Sequence, residues 1–465
     1  MTIVTRTFSL ADQQAFAELS GDFNPMHLDQ SAARRLMLGG VAVHGVHLIL
    51  WVMDSLAASG VALGSLRSIR AHFERPAGLG EEITAHWQIS TGKIVAVAEG
   101  RTGRVMRLTL QPGQDHGRAW TGSRVLPTLA CRDNRMEDIA TQSGSLDLAL
   151  PMAFARQFPN LGVAFSPREA AVLLASTRLV GMICPGLHSI FSGLSVEFIR
   201  EPETSGALEY MVTKADPRVR LIDISVRGAG CEGRLETFLR PEPVAQPGFA
   251  ALKGTVPAGR FSGQRALVIG GSRGLGELTA KLLASGGADV TVTYFNGAED
   301  AARMAGEAAA LGYRMNVLHF DVGAPPDEAP EFAANFTHAY YFATPRIAAA
   351  PHRGFSAAMF ARYIAYYVTG FAQTVEWLRP RAVSDLCIWY PSSVFVEIAP
   401  PGLAEYAAAK ACGEALCAQL STRLAPARAV ADRLPRLATD QTQSLAPLEL
   451  ADAVDVLRSI LLRLA

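Results

Sequence analysis

Net charge is what this chain most plainly lacks: 43 lysines and arginines balance 43 aspartates and glutamates over 465 residues. A neutral surface sets up no long-range field, so nothing in the composition recruits nucleic acid or an anionic membrane. Cysteine is nearly as scarce. Cys131, Cys184, Cys231, Cys387, Cys412 and Cys417 are scattered without metal-ligand spacing, which predicts reduced core thiols in a cytoplasmic protein rather than a disulfide framework. Residues 1–7 hold no apolar signal core, and nothing points to export or to a membrane. Apolar residues are what the chain does have: 49% are hydrophobic against 18% charged. That balance reads as globular, and the length predicts two to four domains rather than one core.

One stretch near the N-terminus carries chemistry. Ser20-Gly21-Asp22-Phe23-Asn24-Pro25-Met26-His27 sets an acid and an imidazole five residues apart with Asn-Pro between them. Asn-Pro starts turns, and the residue before a proline is pushed out of helix. A sharp bend there points Asp22 and His27 into one cleft. A carboxylate and an imidazole facing the same substrate carbon are what adding or removing water beside a carbonyl requires. The plain alternative is a solvated turn with Asp22 as a helix cap.

The run from Phe16 to His27, with Ala33 following after five residues, resembles the signature of MaoC-type (R)-specific enoyl hydratases and dehydratases. Val41-Ala42-Val43-His44-Gly45-Val46 fits the same family, while Met26 stands where a branched aliphatic residue is more usual. The resemblance implies that Asp22 and His27 are the catalytic pair and Asn24 a polar neighbour. It implies that Gly45 lends a backbone N–H to the thioester oxygen, a task suited to a helix N-terminus. It also implies a hotdog fold over residues 1–112. The pattern agrees: an all-apolar helix at 45–59 is followed by strands at 66–73, 82–89, 94–99 and 104–110.

Residues 111–124 read as a linker. Segment 126–243 then repeats the pattern, with an apolar helix at 167–182 and strands at 191–199, 206–214, 218–227 and 233–239. Ala71-His72-Phe73-Glu74-Arg75-Pro76 answers to Val196-Glu197-Phe198-Ile199-Arg200-Glu201-Pro202, and Arg107-Leu108-Thr109-Leu110-Gln111-Pro112 to Glu236-Thr237-Phe238-Leu239-Arg240-Pro241. An internal repeat of this size predicts a duplicated unit, a double hotdog with a degenerate second copy. That copy lacks an Asp-Phe-Asn-Pro-Met-His stretch. Its single histidine, His188, reads as structural, which leaves the copy a scaffold and substrate-tunnel role. The proline- and glycine-rich stretch 244–261 reads as an extended linker.

Beyond it the pattern becomes alternating strand and helix, the mark of a doubly wound parallel sheet of Rossmann type over 262–465. A strand at 266–269 runs into Gly270-Gly271-Ser272-Arg273-Gly274-Leu275-Gly276 and then a helix. Glycines there let the backbone turn tightly and approach a pyrophosphate at the helix N-terminus. Further on, Tyr406 and Lys410 stand four apart, on one helix face, thirteen residues after Ser393. An ammonium so placed lowers a phenol's pKa and holds a ribose, while the phenol protonates a carbonyl.

This part resembles the short-chain dehydrogenase/reductases, and among them the 3-oxoacyl-carrier-protein reductases. The resemblance implies Ser393, Tyr406 and Lys410 as catalytic residues. It places the dinucleotide on Gly270, Ser272, Arg273, Gly274, Leu275, Gly276 and Lys410, with Asp321 and Val322 flanking the adenine. Arg273 in the loop, with no acid in Thr293-Tyr294-Phe295-Asn296, favours NADPH over NADH. Three places depart from the family: Tyr341-Phe342-Ala343-Thr344, Tyr367, and Pro435-Arg436. The stretch 439–447 is also shorter than the usual substrate lid.

Together the two resemblances imply a bifunctional ketoreductase and dehydratase for acyl-CoA or acyl-carrier-protein thioesters, in fatty-acid or polyketide-type metabolism, acting as a homo-oligomer. Two alternatives stay open. Only the hydratase/dehydratase is active and the nucleotide-binding half is silent, or the chain is a non-catalytic docking scaffold for acyl carriers.

Overall fold

Alternation of buried and exposed residues builds the first half of the molecule. In Glu82–Ser90, for example, Ile83, Ala85 and Trp87 are buried while their neighbours are not, the period of a strand with one face on a core. The computed structural model describes residues 2–101, 103–113, 122–199, 206–347, 354–423 and 427–465. It divides into two compact units, Met1–Pro243 with Ser444–Leu448, and Val244–Gln443 with Glu449–Ala465.

The first unit is built on ten strands: β1 (Ile3–Thr7), β2 (Leu66–Phe73), β3 (Glu82–Ser90), β4 (Lys93–Gly100), β5 (Gly103–Pro112), β6 (Ser143–Asp147), β7 (Ser189–Phe198), β8 (Ala207–Asp216), β9 (Leu221–Gly228) and β10 (Cys231–Leu239). They form one sheet in the order β1-β3-β4-β5-β2-β7-β10-β9-β8-β6. At its middle β2 and β7 run antiparallel, with Ile69 facing Val196. Outward from that seam the first half reads β2, β5, β4, β3, β1 and the second reads β7, β10, β9, β8, β6. Each half therefore lays down its five strands in the same chain order.

Each half also buries one helix. In Gly45–Ala58, Val46, Leu48, Ile49, Leu50, Val52, Met53 and Leu56 are all buried in one core with the strands. Burial of each such side chain contributes roughly 1.5–3 kcal/mol. In the second half Pro167–Arg178 is buried from Glu169 onward and widens into a π turn, Leu179–Ile183, closed by the Cys184 N–H on Leu179 O at 2.8 Å. Residues 114–121, most of the expected linker, and Arg200-Glu201-Pro202 of the expected repeat lie outside the described residues.

The second unit holds a six-stranded parallel sheet of Rossmann type: β11 (Arg265–Ile269), β12 (Asp289–Tyr294), β13 (Met315–His319), β14 (Phe336–Tyr341), β15 (Ala382–Ser393) and β16 (Arg428–Leu434), ordered β13-β12-β11-β14-β15-β16. The chain order reverses at β11, so a crevice opens at its carboxyl end. Two expectations need correction. Residues 244–261 are not simply an extended linker: Phe249, Leu252 and Val256, with Phe261 beside them, are buried in this unit's core. The prolines mark turns, but the apolar residues between them are long enough to reach that core. The six cysteines are free, yet Cys412 is exposed and Cys131 half-buried, so only four are core thiols. Among the described residues no helix is long and apolar enough to cross a membrane.

Candidate active sites

The helix Leu10–Ser20 starts with a capping box between Ser9 and Asp12 and stops at Gly21, whose φ of +76° suits a residue without a Cβ. The chain then bends. Asn24 Oδ1 accepts the Met26 N–H at 3.0 Å, and Pro25 opens the short turn Pro25–His27. The bend brings the expected pair together and adds a third group. Asp22, His27 and His44 are buried, and each offers one atom within 4.8 Å of the others'. Sequence reasoning gives His44 no role; its one signal is its place directly before the glycine that opens the buried helix.

The proton position on His27 follows from its partner. His27 Nδ1 lies 2.7 Å from Ala42 O. A carbonyl only accepts, so Nδ1 carries the hydrogen and Nε2 keeps its lone pair. His44 Nε2 lies 3.1 Å from the Asp22 backbone oxygen and its Nδ1 lies 2.9 Å from Gln13 Oε1, and its ring stacks on that of His27 with centroids 3.8 Å apart. The His44 backbone N–H donates to Gln13 Oε1 at 3.1 Å.

Both oxygens of Asp22 are held. The Thr177 hydroxyl donates to Oδ2 at 2.7 Å, and the Asn24 N–H donates to Oδ1 at 3.3 Å. A Cβ at position 181 would stand 2.1 Å from Oδ1, so only glycine admits the carboxylate there. Burial raises the Asp22 pKa above the usual carboxylate range, against the opposing pull of His27 and of the two donors. Burial likewise lowers His27, with Asp22 opposing it. The two proton affinities are thus drawn toward each other.

Asn24 is placed differently from a substrate-facing group. Its Nδ2 donates to Gly181 O at 2.9 Å, Gly186 O at 3.1 Å and Leu187 O at 3.3 Å. Its two hydrogens are already used, so it supports the turn and offers nothing to an oxyanion. Gly45 does open the buried helix, whose first internal bond runs from the Leu48 N–H to His44 O at 3.2 Å. The N–H groups of Gly45, Val46 and His47 thus find no acceptor inside the helix. His188 has both nitrogens engaged, Nε2 by Asp133 at 3.1 Å and Nδ1 by the Arg240 guanidinium at 3.2 Å.

In the second unit the loop Gly270–Gly276 sits at the carboxyl end of β11, where the helix Gly274–Ser285 begins. Gly270 and Gly274 take φ of +71° and +60°, and nothing lies within 4 Å of where a Cβ on Gly274 would stand. This open cradle over a helix N-terminus fits a pyrophosphate. Ser272 is buried, Leu275 packs against the core, and Arg273 pairs with Asp440 at 3.9 Å. Asp321 closes a turn onto the Gly323 N–H at 2.8 Å, and Val322 is buried against Gly370.

The Ser393 hydroxyl hydrogen-bonds the Tyr406 phenol, which burial pushes up to about 12. Lys410, one turn beyond Tyr406 on the helix Ala404–Arg423, is buried. Its Nζ donates to Pro391 O at 2.6 Å and lies 4.1 Å and 4.8 Å from the ring centres of Tyr367 and Tyr390. The Tyr367 hydroxyl shares a 2.5 Å hydrogen bond with Thr344. Two of the sequence departures, Tyr367 and Thr344, thus meet beside Lys410.

Comparison with known proteins agrees with this division. Residues 2–106 match the MaoC-like domain, and residues 270–431 match a family described as enoyl-(acyl carrier protein) reductase. Over 79 residues the chain is 34% identical to a mitochondrial 3-hydroxyacyl-[acyl-carrier-protein] dehydratase of Arabidopsis thaliana, covering 17% of this chain and 47% of that protein. Over 88 residues it is 32% identical to an (R)-specific enoyl-CoA hydratase of Aeromonas caviae, covering 19% of this chain and 66% of that protein. The chain thus spans about half and just under two thirds of the lengths of these relatives. A solved short chain dehydrogenase from Burkholderia cenocepacia in complex with NADP aligns at 22% identity and a TM-score of 0.38, over 44% of this chain and 92% of that one.

Proposed function

We propose the following for a chain that carries a MaoC-like dehydratase domain at its N-terminus and a short-chain dehydrogenase/reductase domain at its C-terminus. It is a bifunctional enzyme of acyl-thioester metabolism. The C-terminal site reduces a 3-oxoacyl thioester to the 3-hydroxy compound, and the N-terminal site removes or adds water between the (R)-3-hydroxyacyl and trans-2-enoyl thioesters. CoA or an acyl carrier protein bears the acyl group. The observation that carries the reading is the buried meeting of Asp22 and His27, each offering an atom within 4.8 Å of the other's.

In dehydration the free Nε2 of His27 takes the proton from C2. Asp22, held toward its acid form by burial, gives its proton to the departing hydroxyl at C3. Hydration runs the same transfers backward. The N–H groups at the start of Gly45–Ala58 stabilise the negative charge that develops on the thioester oxygen. Residues 126–243 are read as a second, degenerate hotdog, a reading supported by the matching strand order of the two halves.

In the C-terminal site, residues 270–276, Asp321 and Val322 hold the dinucleotide. Arg273 and the absence of an acid in 293–296 favour NADPH, which when bound supplies the hydride. Ser393 orients the substrate carbonyl and Tyr406 protonates its oxygen.

A second reading keeps only the N-terminal site active. It is favoured by Lys410, whose ammonium is turned into a tyrosine cage and onto a backbone carbonyl. One experiment separates the readings. The purified chain is given a 3-oxoacyl thioester with NADPH and, separately, crotonyl-CoA. Turnover of both supports the bifunctional enzyme, and hydration alone supports the second reading. If neither substrate is consumed, both readings fall.

A further inference from the structure

We infer that Thr177, on the helix of the second half of the first unit, is a positioning residue for Asp22. This rests on the reading of Asp22 and His27 as the acid–base pair.

Thr177 is 155 residues away from Asp22 in the chain. It lies in Pro167–Arg178, the helix of the half that carries no acid–imidazole stretch of its own. A serine or threonine inside a helix commonly turns its hydroxyl back onto the carbonyl four residues earlier. The neighbouring Ser176 does this, donating to Val172 O at 2.9 Å. Thr177 instead gives its hydrogen to Asp22 Oδ2 at 2.7 Å, with both side chains buried.

The π turn that follows completes the cradle. It sets Gly181 against Oδ1 where a Cβ would stand 2.1 Å away, and turns the Gly181 carbonyl toward Asn24 Nδ2 at 2.9 Å. Met182 Sδ accepts the Phe23 N–H at 3.2 Å. Three consecutive residues of the acid-bearing turn are therefore gripped by residues 177–182. The half that lacks its own pair shapes the pair of the other.

The hydroxyl does two things for a base. It fixes the plane of the carboxylate, and it favours the ionised form against burial. Other groups act on the same carboxylate. His27 lies beside it, and His44 Nε2 stands 4.0 Å from Oδ2. The Cys131 thiol feels its charge, Arg240 acts on both His27 and Cys131, and Arg178 packs against Gly21. All of these remain when only the Thr177 hydroxyl is removed, so Thr177→Val isolates its share.

The test uses the full chain. Losing one hydrogen bond to a charged group in a dry site predicts that Thr177→Val slows kcat for crotonyl-CoA hydration roughly 10- to 100-fold, with KM changed far less. The limb of the pH–rate profile that Asp22 governs moves to higher pH by about one unit. Thr177→Ser keeps the donor and restores both. A second readout needs no turnover: the carboxyl infrared band lost in Asp22→Asn reports Asp22 titration directly, and it shifts upward in pH in Thr177→Val. An unmoved band, with rate and profile like the wild type, overturns the inference while the hydratase reading stands. A shifted band in a chain that never hydrates crotonyl-CoA upholds the inference and removes the hydratase reading.

Discussion

Replacing Lys410 by methionine tests how the second unit holds its buried ammonium. Burial takes this group from 10.5 to about 7, and it has no carboxylate within hydrogen-bond reach, only Pro391 O and two ring faces. A fall of this size, at 1.36 kcal/mol per unit, corresponds to about 4–5 kcal/mol held against the folded state at neutral pH. Methionine leaves Pro391 O without this donor, which costs the variant roughly 2–3 kcal/mol. Lys410→Met should therefore stabilise the unit by about 1–3 kcal/mol at pH 7.

The sign of the pH dependence follows from proton binding. Between about 7 and 10.5 the unfolded chain holds the lysine proton and the folded chain does not. Wild-type stability thus rises with pH across that window, by up to about 1.4 kcal/mol per unit. Relative to Lys410→Met, the wild type should gain about 2 kcal/mol between pH 7 and 9. The assay is denaturant unfolding of the intact chain, read by hydrogen exchange in peptides from 404–423. If the variant is less stable at every pH and the wild type shows no excess slope, the tyrosine faces and the carbonyl keep the ammonium charged. Burial would then not deprotonate this lysine.

Other outcomes follow from the first unit. Asp22→Asn should gain stability over the wild type as pH rises, because burial raises the folded-state pKa of Asp22 and its ionised form is the costly one; melting temperatures of both chains across pH check this. Asn24→Ala strands the carbonyls of Gly181, Gly186 and Leu187 and should lower stability by about 2–4 kcal/mol, measured by denaturant unfolding. Under native conditions a thiol reagent should label Cys412 first, being the exposed cysteine, and mass spectrometry of the labelled peptides reads the order.

Much of the fold was legible because it is written locally. The Asn24-Pro25 bend, the all-apolar helix and the glycine loop each depend on residues a few positions apart. The strands that escaped notice, β1 and β6, have little buried surface to betray them: β1 has no buried residue, and in β6 only Leu146 is buried. The linker reading of 244–261 failed because prolines and glycines mark turns whether or not the residues between them reach a core. Asp22 and His27 could be picked from the chain; Thr177 and Gly181 could not. An ordinary threonine in a helix and one glycine among 41 become parts of the site only when a remote helix is laid against the turn. Tyr367 was visible as a departure from the reductase pattern. That it shares with Tyr390 the task of enclosing Lys410 depends on how β15, the turn Ala365–Gly370 and the helix Ala404–Arg423 meet.

The acid–base role of Asp22 and His27 is decided by hydrating crotonyl-CoA in deuterium oxide with the wild type, Asp22→Asn and His27→Gln. The wild type should yield (R)-3-hydroxybutyryl-CoA carrying one deuterium at C2, and each variant, still folded, should lose roughly 10²- to 10⁴-fold in rate. Undiminished hydration in either variant would contradict that role.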